Sequence, residues 1–171
     1  MRIYIACALT AVPRTDFVSY VHFIHSLAGS LKDNCFCNVK YALINSDPQL
    51  AFKPAQDRAR LCYHWDRDMV LHSDVIVADA TYPSTGLGIE LQIADSANIP
   101  IILCYRNSVD RKLEPVYYNN PDHSHHLLQI GEGFISLMAL GLPSVYKTIP
   151  YSDYKTVIKD VSDTVNEIKI A

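Results

Sequence analysis

Glu90, Asp66, Asp79, Tyr4 and Ser84 are the residues of this chain whose types and placing could do chemistry. Asp79 ends the run Asp74-Val75-Ile76-Val77-Ala78-Asp79, and Ser84 and Glu90 follow it within Pro83-Ser84-Thr85-Gly86-Leu87-Gly88-Ile89-Glu90. Two carboxylates in different surroundings can cleave a glycosidic bond: one attacks or stabilises the sugar cation, the other handles the proton of the leaving group. A helix opening near Gly88 would place Glu90 in its first turn, where the macrodipole favours the ionised form. Equally, Glu90 could decorate the helix start, as acidic residues often do. Tyr4 has an ordinary reading of its own, a core residue whose hydroxyl bonds to something polar.

Other chemistries find too few partners. Gly86-x-Gly88-x-x-Leu91 lacks the third glycine of a dinucleotide fingerprint and would set Glu90 where a pyrophosphate should rest. Asp79 as a phosphoacceptor would need further carboxylates to hold a divalent ion, and Ala6-Cys7-Ala8-Leu9 supplies none. His123, His125 and His126 match no zinc spacing, and His22 and His25 suit surface positions, so no metal is expected.

The elements that must position these groups follow from periodicity. Residues 2–8, 39–44, 74–79, 99–105 and 144–149 read as strands, most of them apolar on both faces, as in a sheet covered by helices on each side. Helical stripes run over 15–31 and 56–72, from near Gly88, over 133–140, and over 154–168. On the second of these, Leu61, Trp65 and Met69 share a face with Asp66 and Asp68 on opposite shoulders, so periodicity alone does not choose between the two aspartates. Strict alternation of strand and helix implies an α/β fold: an open parallel five-stranded sheet, flavodoxin-like. Strand, Gly-bearing loop and helix start at 74–97 make a ligand-binding corner. Residues 106–126 read as a long polar loop.

With 171 residues and 49% hydrophobic content, one domain over 1–171 is expected, with a core that needs no staples. Fifteen basic against 18 acidic residues give a net charge of -3, and no basic cluster stands out, so a DNA or RNA polymer is not an expected partner. The start MRIYIACALTAV lacks a basic n-region, and no apolar run is long enough to span a bilayer, so a cytoplasmic protein is expected. Five scattered cysteines read as reduced core thiols.

Tyr4 in RIYIA, Asp66 in WDRDMVLHSDVIVAD, and Pro83-Ser84-Thr85-Gly86-Leu87-Gly88-Ile89-Glu90-Leu91 with Ala94 resemble the nucleoside 2-deoxyribosyltransferase superfamily over roughly residues 1–106. The PSxGxGxEL form looks closest to the 2'-deoxynucleoside 5'-phosphate N-hydrolases. The resemblance implies a nucleophilic Glu90 that attacks the anomeric carbon, with the glycosyl ester resolved by water or by another base. Asp66 would protonate or orient the base, and Tyr4 would hold the nucleophile. Ser84 would bind a 5'-phosphate or 5'-hydroxyl, with Gly86, Gly88 and Asp79 among the substrate contacts. A homodimer is implied, with Ser144 of GLPSVYK reaching across its interface; no cofactor is implied. The hydrolases' Gly- and Arg-bearing turn after the first strand is replaced here by Cys7-Ala8-Leu9-Thr10-Ala11-Val12-Pro13-Arg14, where Thr10 and Arg14 could serve. The insertion around 117–126 would form a lid or extend the dimer.

Overall fold

The computed structural model describes residues 1–170, and its centre is a parallel sheet. The strands β1 (Arg2–Cys7), β2 (Asn38–Tyr41), β3 (Val75–Asp79), β4 (Ile101–Arg106) and β7 (Val145–Tyr151) lie in the order β2-β1-β3-β4-β7. This is the flavodoxin-like order expected from the alternation of elements, with the reversal of winding at β1 and β3. In register, Cys7 lies beside Asp79 and Asp79 beside Cys104, so their carboxyl ends form one edge.

Successive side chains of a strand point to opposite faces, and β1 sorts its residues accordingly. Ile3 and Ile5 join Tyr20, Phe23, Ile24 and Leu27 of α1 (Arg14–Asp33) and Val157, Val161 and Val165 of α7 (Tyr154–Ile170). Tyr4 and Ala6 join the opposite cluster, with Met69 and Val70 of α4 (Ala55–Leu71) and Leu87, Leu91 and Ala94 of α5 (Thr85–Ser96). The parity of β1 therefore aims Tyr4 at the layer formed by α4 and α5.

Three departures from the periodicity have local causes. The second strand stops at Tyr41, and 42–50 forms two helical turns, α2 (Ala42–Asn45) and α3 (Asp47–Leu50); Asn45 Oδ1 accepts from the Tyr41 amide at 3.1 Å, which pulls the chain out of the sheet. The polar loop after β4 contains a 3-10 turn at Val109–Arg111 and a hairpin of β5 (Tyr117–Asn119) with β6 (His125–Leu127). The helix expected over 133–140 shrinks to α6 (Leu137–Leu140), because Gly133 sits at φ +84° against Leu113, where a Cβ would meet the Leu113 carbonyl oxygen at 2.3 Å. No helix among the described residues is long and apolar enough to cross a membrane.

Candidate active site

The corner after β3 closes earlier than the glycines suggest. Ser84, with extended φ of -150°, caps α5: its Oγ accepts from the Leu87 amide at 3.3 Å. Helix therefore starts at Thr85, three residues before Gly88, and Gly86 and Gly88 lie inside it at negative φ. Neither glycine is demanded by the backbone, and each costs about 1 kcal/mol relative to alanine in a helix. A Cβ on Gly88 would meet nothing within 4 Å, and one on Gly86 only Ser84 Oγ at 3.7 Å, so both leave open space beside the helix.

This shift corrects the electrostatic expectation for Glu90. The residue stands in the second turn of α5, beyond the reach of the helix-start field, which fades within the first turn. Burial dominates instead and raises its carboxyl to about 8, with the Asp66 charge adding to the rise and a hydrogen bond from Tyr4 opposing it. Glu90 thus carries a proton at neutral pH in the free protein.

Tyr4, from the middle of β1 and 1% exposed, donates its hydroxyl to Glu90 Oε1 at 2.6 Å. Burial and the charges of Glu90 and Asp66 push the phenol well above its ordinary range, which keeps it a donor. Asp66 comes from α4, packed on α5. Its Oδ2 accepts a weak bond from Cys62 Sγ at 3.3 Å, while Oδ1 is buried without a partner. An orphaned buried carboxylate oxygen is rare in a folded protein and marks a place where a partner is expected. The structure also separates the two aspartates that periodicity left equivalent: Asp68 is exposed, pairs with Arg67 at 3.5 Å, and lines a different groove with Lys40, Asn45 and Trp65.

Sequence reasoning missed Cys62 and Cys7 as neighbours of this cluster. Burial and then the surrounding carboxylates push the Cys7 thiol far up, and burial with the Asp66 charge lifts Cys62 to about 11. Both are neutral thiols. The signal for Cys62 was its i, i+4 relation to Asp66 on one helix.

Other expected site residues lie elsewhere. Asp79, expected among the substrate contacts, is 1% exposed and fully engaged by the protein: Tyr20 and Tyr151 donate at 3.0 and 2.7 Å, and the Thr81 amide at 3.2 Å. It braces β3 against α1 and β7 and offers no free oxygen to a ligand. Thr10, in the turn after β1, and Arg14, the first residue of α1, are both exposed, and Arg14 stacks over the Phe17 ring at 5.3 Å. Ser144 precedes β7 at the amino edge of the sheet, its amide donating to Asp95 Oδ1 at 2.9 Å, so the fold does not bring it to Glu90 within one chain. His126 Nε2 lies 2.9 Å from Ser124 Oγ in the hairpin.

Glu90, Tyr4 and Asp66 thus meet in the layer of α4 and α5. Ser84, Leu87, Gly88 and Leu91 line a mostly apolar cavity of about 640 Å³ together with Phe134 and Met138, and Glu90, Tyr4 and Asp66 are not among its lining residues. A protonatable carboxyl steadied by a phenol, with a second carboxylate beside it, can capture a sugar cation and manage the proton of its leaving group.

Comparison with known proteins gives relatives in sequence and in fold. No family model matches the chain. The sequence is 33% identical over 78 residues to a Methanosarcina barkeri protein provisionally named 2'-deoxynucleoside 5'-phosphate N-hydrolase 1, covering 46% of this chain and 48% of that one. A protein of the same provisional name from Syntrophotalea carbinolica is 33% identical over 58 residues, or 34% of this chain and 38% of its own. The match thus spans half or less of the length of these curated relatives. In fold, the chain is similar to a CMP N-glycosidase of Clostridium botulinum, with a TM-score of 0.57 at 16% identity over 94% of this chain and 97% of the other. It is also similar to a 2-deoxyribosyltransferase of Bacillus psychrosaccharolyticus, with a TM-score of 0.56 at 16% identity over 92% and 90%.

Proposed function

Starting from a chain similar to the nucleoside 2-deoxyribosyltransferase superfamily in motif, relatives and fold, we propose that it is an N-glycosidase that hydrolyses the base–sugar bond of a (2'-deoxy)nucleoside or its 5'-monophosphate. The 2.6 Å hydrogen bond from Tyr4 to Glu90, with the unpartnered oxygen of Asp66 in the same cluster, carries this reading.

Glu90 reacts as its carboxylate: its proton leaves to solvent water before attack, and the positive charge developing on the sugar favours the ionised form. Its oxygen then forms a bond to the anomeric carbon as the C–N bond breaks, and the electron pair of that bond leaves with the base. Asp66 orients the departing base, or relays to it a proton drawn from solvent water, through Oδ1, which has no partner among the described residues. Tyr4 holds Glu90 by one oxygen, leaving the other for attack. Water then releases the sugar from the ester, so two inversions retain the configuration. Ser84 at the start of α5, with the exposed backbone at Gly86 and Gly88, lies where a sugar or its 5'-substituent can approach. No step requires a cofactor.

Transfer to a second base is the other outcome of the same ester, and the likeness in fold to a 2-deoxyribosyltransferase favours keeping it in view. The binding role that the resemblance gives Ser144, at the amino edge of the sheet, requires a homodimer in which the partner subunit's copy of that serine reaches the site. A pocket that binds nucleotides without turning them over is the third reading.

One incubation decides among them. With a panel of nucleosides and 5'-monophosphates plus a second free base, hydrolysis yields free sugar and transfer yields a new nucleoside. Neither product, together with a ligand-dependent rise in melting temperature, would leave a binding module. Glu90→Ala should abolish either product with folding intact; full activity in that variant overturns the mechanism.

A further inference from the structure

A second group of unsatisfied polar atoms lies at the carboxyl edge of β4, away from the Glu90 cluster. Arg106 closes that strand, and its Nε is buried with no partner. Ser108 follows two residues later, and its Oγ is likewise buried and unpartnered. It occupies the position before the 3-10 turn Val109–Arg111 yet makes no capping bond. Arg111, at the end of that turn, donates from Nη2 to the Thr81 carbonyl at 2.7 Å and lies over the Tyr82 ring at 4.3 Å. The Arg106 amide bonds to Thr81 Oγ1 at 3.0 Å, so both arginines are tied to one residue of the loop between β3 and α5.

Asp16, in the first turn of α1, is one nearby carboxylate: the Tyr82 hydroxyl bonds to it at 2.9 Å, and that bond, then Thr15 and then the charges of Arg111 and Arg106 hold its carboxyl below the usual range. Asp16 nevertheless makes no ion pair within 4.0 Å with either arginine among the described residues. Tyr154 also faces the group, its phenol raised by burial and drawn back down by Arg106. Two fixed cations thus stand near Asp16 and Asp79, carboxylates already hydrogen-bonded elsewhere and paired with neither arginine among the described residues. A buried guanidinium nitrogen without a partner costs stability unless an acceptor meets it, and an anion is the best acceptor for it. A planar donor fork, a second guanidinium and a hydroxyl are the donor set that suits phosphate oxygens.

We propose that Arg106, Ser108 and Arg111 form a binding site for a phosphate group at the carboxyl edge of β4. The phosphate is either free or carried at the 5' position of the substrate; the second source rests on the glycosidase reading. In that case these residues take the place of the Gly- and Arg-bearing turn that this chain lacks after β1.

The test is thermal unfolding at fixed ionic strength in chloride and in inorganic phosphate. Phosphate well above its dissociation constant should raise the melting temperature by about 5 °C. Arg106→Gln should abolish that rise while melting no lower than wild type in chloride, since a buried nitrogen without a partner has been removed. A purely structural arginine would behave otherwise, and equal destabilisation in both buffers overturns the proposal. So does the absence of any phosphate effect on the wild type. Should Arg106→Gln not fold, Ser108→Ala and Arg111→Gln carry the test, each weakening phosphate binding about tenfold; unchanged binding in both overturns it. Steady-state kinetics then identify the source. A phosphate belonging to the substrate makes Arg111→Gln raise KM for a 5'-monophosphate about tenfold more than for the nucleoside, whereas a free phosphate leaves the two KM values in their wild-type ratio. If the wild type releases base from neither, the glycosidase reading fails, and the phosphate-dependent melting still decides this one.

Discussion

Asp79 and Glu90 are carboxylates set against the same parallel sheet, and their surroundings differ above all in the number of donors each receives. Asp79 takes bonds from two tyrosine hydroxyls and a backbone amide, so burial, which raises its pKa, is opposed by Tyr151, Thr81 and Tyr20 together. Glu90 takes one bond, from Tyr4, and burial lifts it to about 8. Beside it, Asp66 keeps an oxygen with no partner. A buried carboxylate with all its neighbours in place ties elements together, whereas one left short of donors lowers stability and is retained where a ligand supplies the rest. Under the proposed function, Asp79 belongs to the architecture and Glu90 to the chemistry.

The largest effects should separate the two sites cleanly. Glu90→Gln is expected to lower kcat for base release by at least about 10³-fold, as loss of a nucleophile does, while circular dichroism and the melting transition show a folded protein. Asp79→Asn should do the reverse. It breaks a network that includes two buried hydroxyls and is expected to cost about 3 kcal/mol in urea unfolding, with turnover per folded molecule retained. Loss of turnover in Asp79→Asn without loss of stability would mean that the saturated carboxylate is the functional one.

A smaller effect follows from linkage. The folded protein holds the Glu90 proton up to about 8, whereas in the unfolded chain it leaves near the ordinary value of 4.5. Between those values the native state binds more protons than the unfolded state, so stability from this group is complete below 4.5 and falls as pH rises through about 8. Glu90→Gln cannot ionise and should be more stable than wild type at pH 9, by on the order of 2 kcal/mol after allowance for partial solvent access, and nearly equal at pH 4. Urea midpoints across that range measure it; a constant difference would place the raised pKa elsewhere.

Much of this was legible in the sequence because periodicity is a property of single elements. Two-faced apolar strands alternating with helical stripes specify the parallel sheet, and Tyr4, Asp66 and Glu90 stand out by type and motif, while the bond from Tyr4 to Glu90 is visible only in the fold. What escaped involved partners distant in sequence. Asp79 looks as available as Glu90 until Tyr20 and Tyr151 arrive from α1 and β7 to occupy it. The start of α5 was misplaced because glycine signals a loop, while the serine cap at Ser84 outweighed the poor helix propensity of Gly86 and Gly88. The hairpin after β4 was hidden in short, polar, fully exposed strands that carry no alternation of burial.

The mildest change should be the most informative about how the two carboxylates diverge. Tyr4→Phe removes only the hydroxyl that bonds Glu90, leaving the ring in the core. That hydroxyl stabilises the ionised carboxylate, so without it the Glu90 pKa moves further up, because the burial and Asp66 contributions that raise it are no longer opposed. In the wild type kcat/KM should climb with pH and level off above about 8. In Tyr4→Phe the climb should come at higher pH, and at neutral pH the rate should fall about tenfold, part of it recovered in alkaline buffer. Alkaline recovery distinguishes a proton held too tightly from a carboxylate that has simply lost its position, since misplacement lowers the rate equally at every pH. A parallel drop with an unmoved pH profile would therefore limit Tyr4 to positioning Glu90, leaving burial and Asp66 to set when the proton departs.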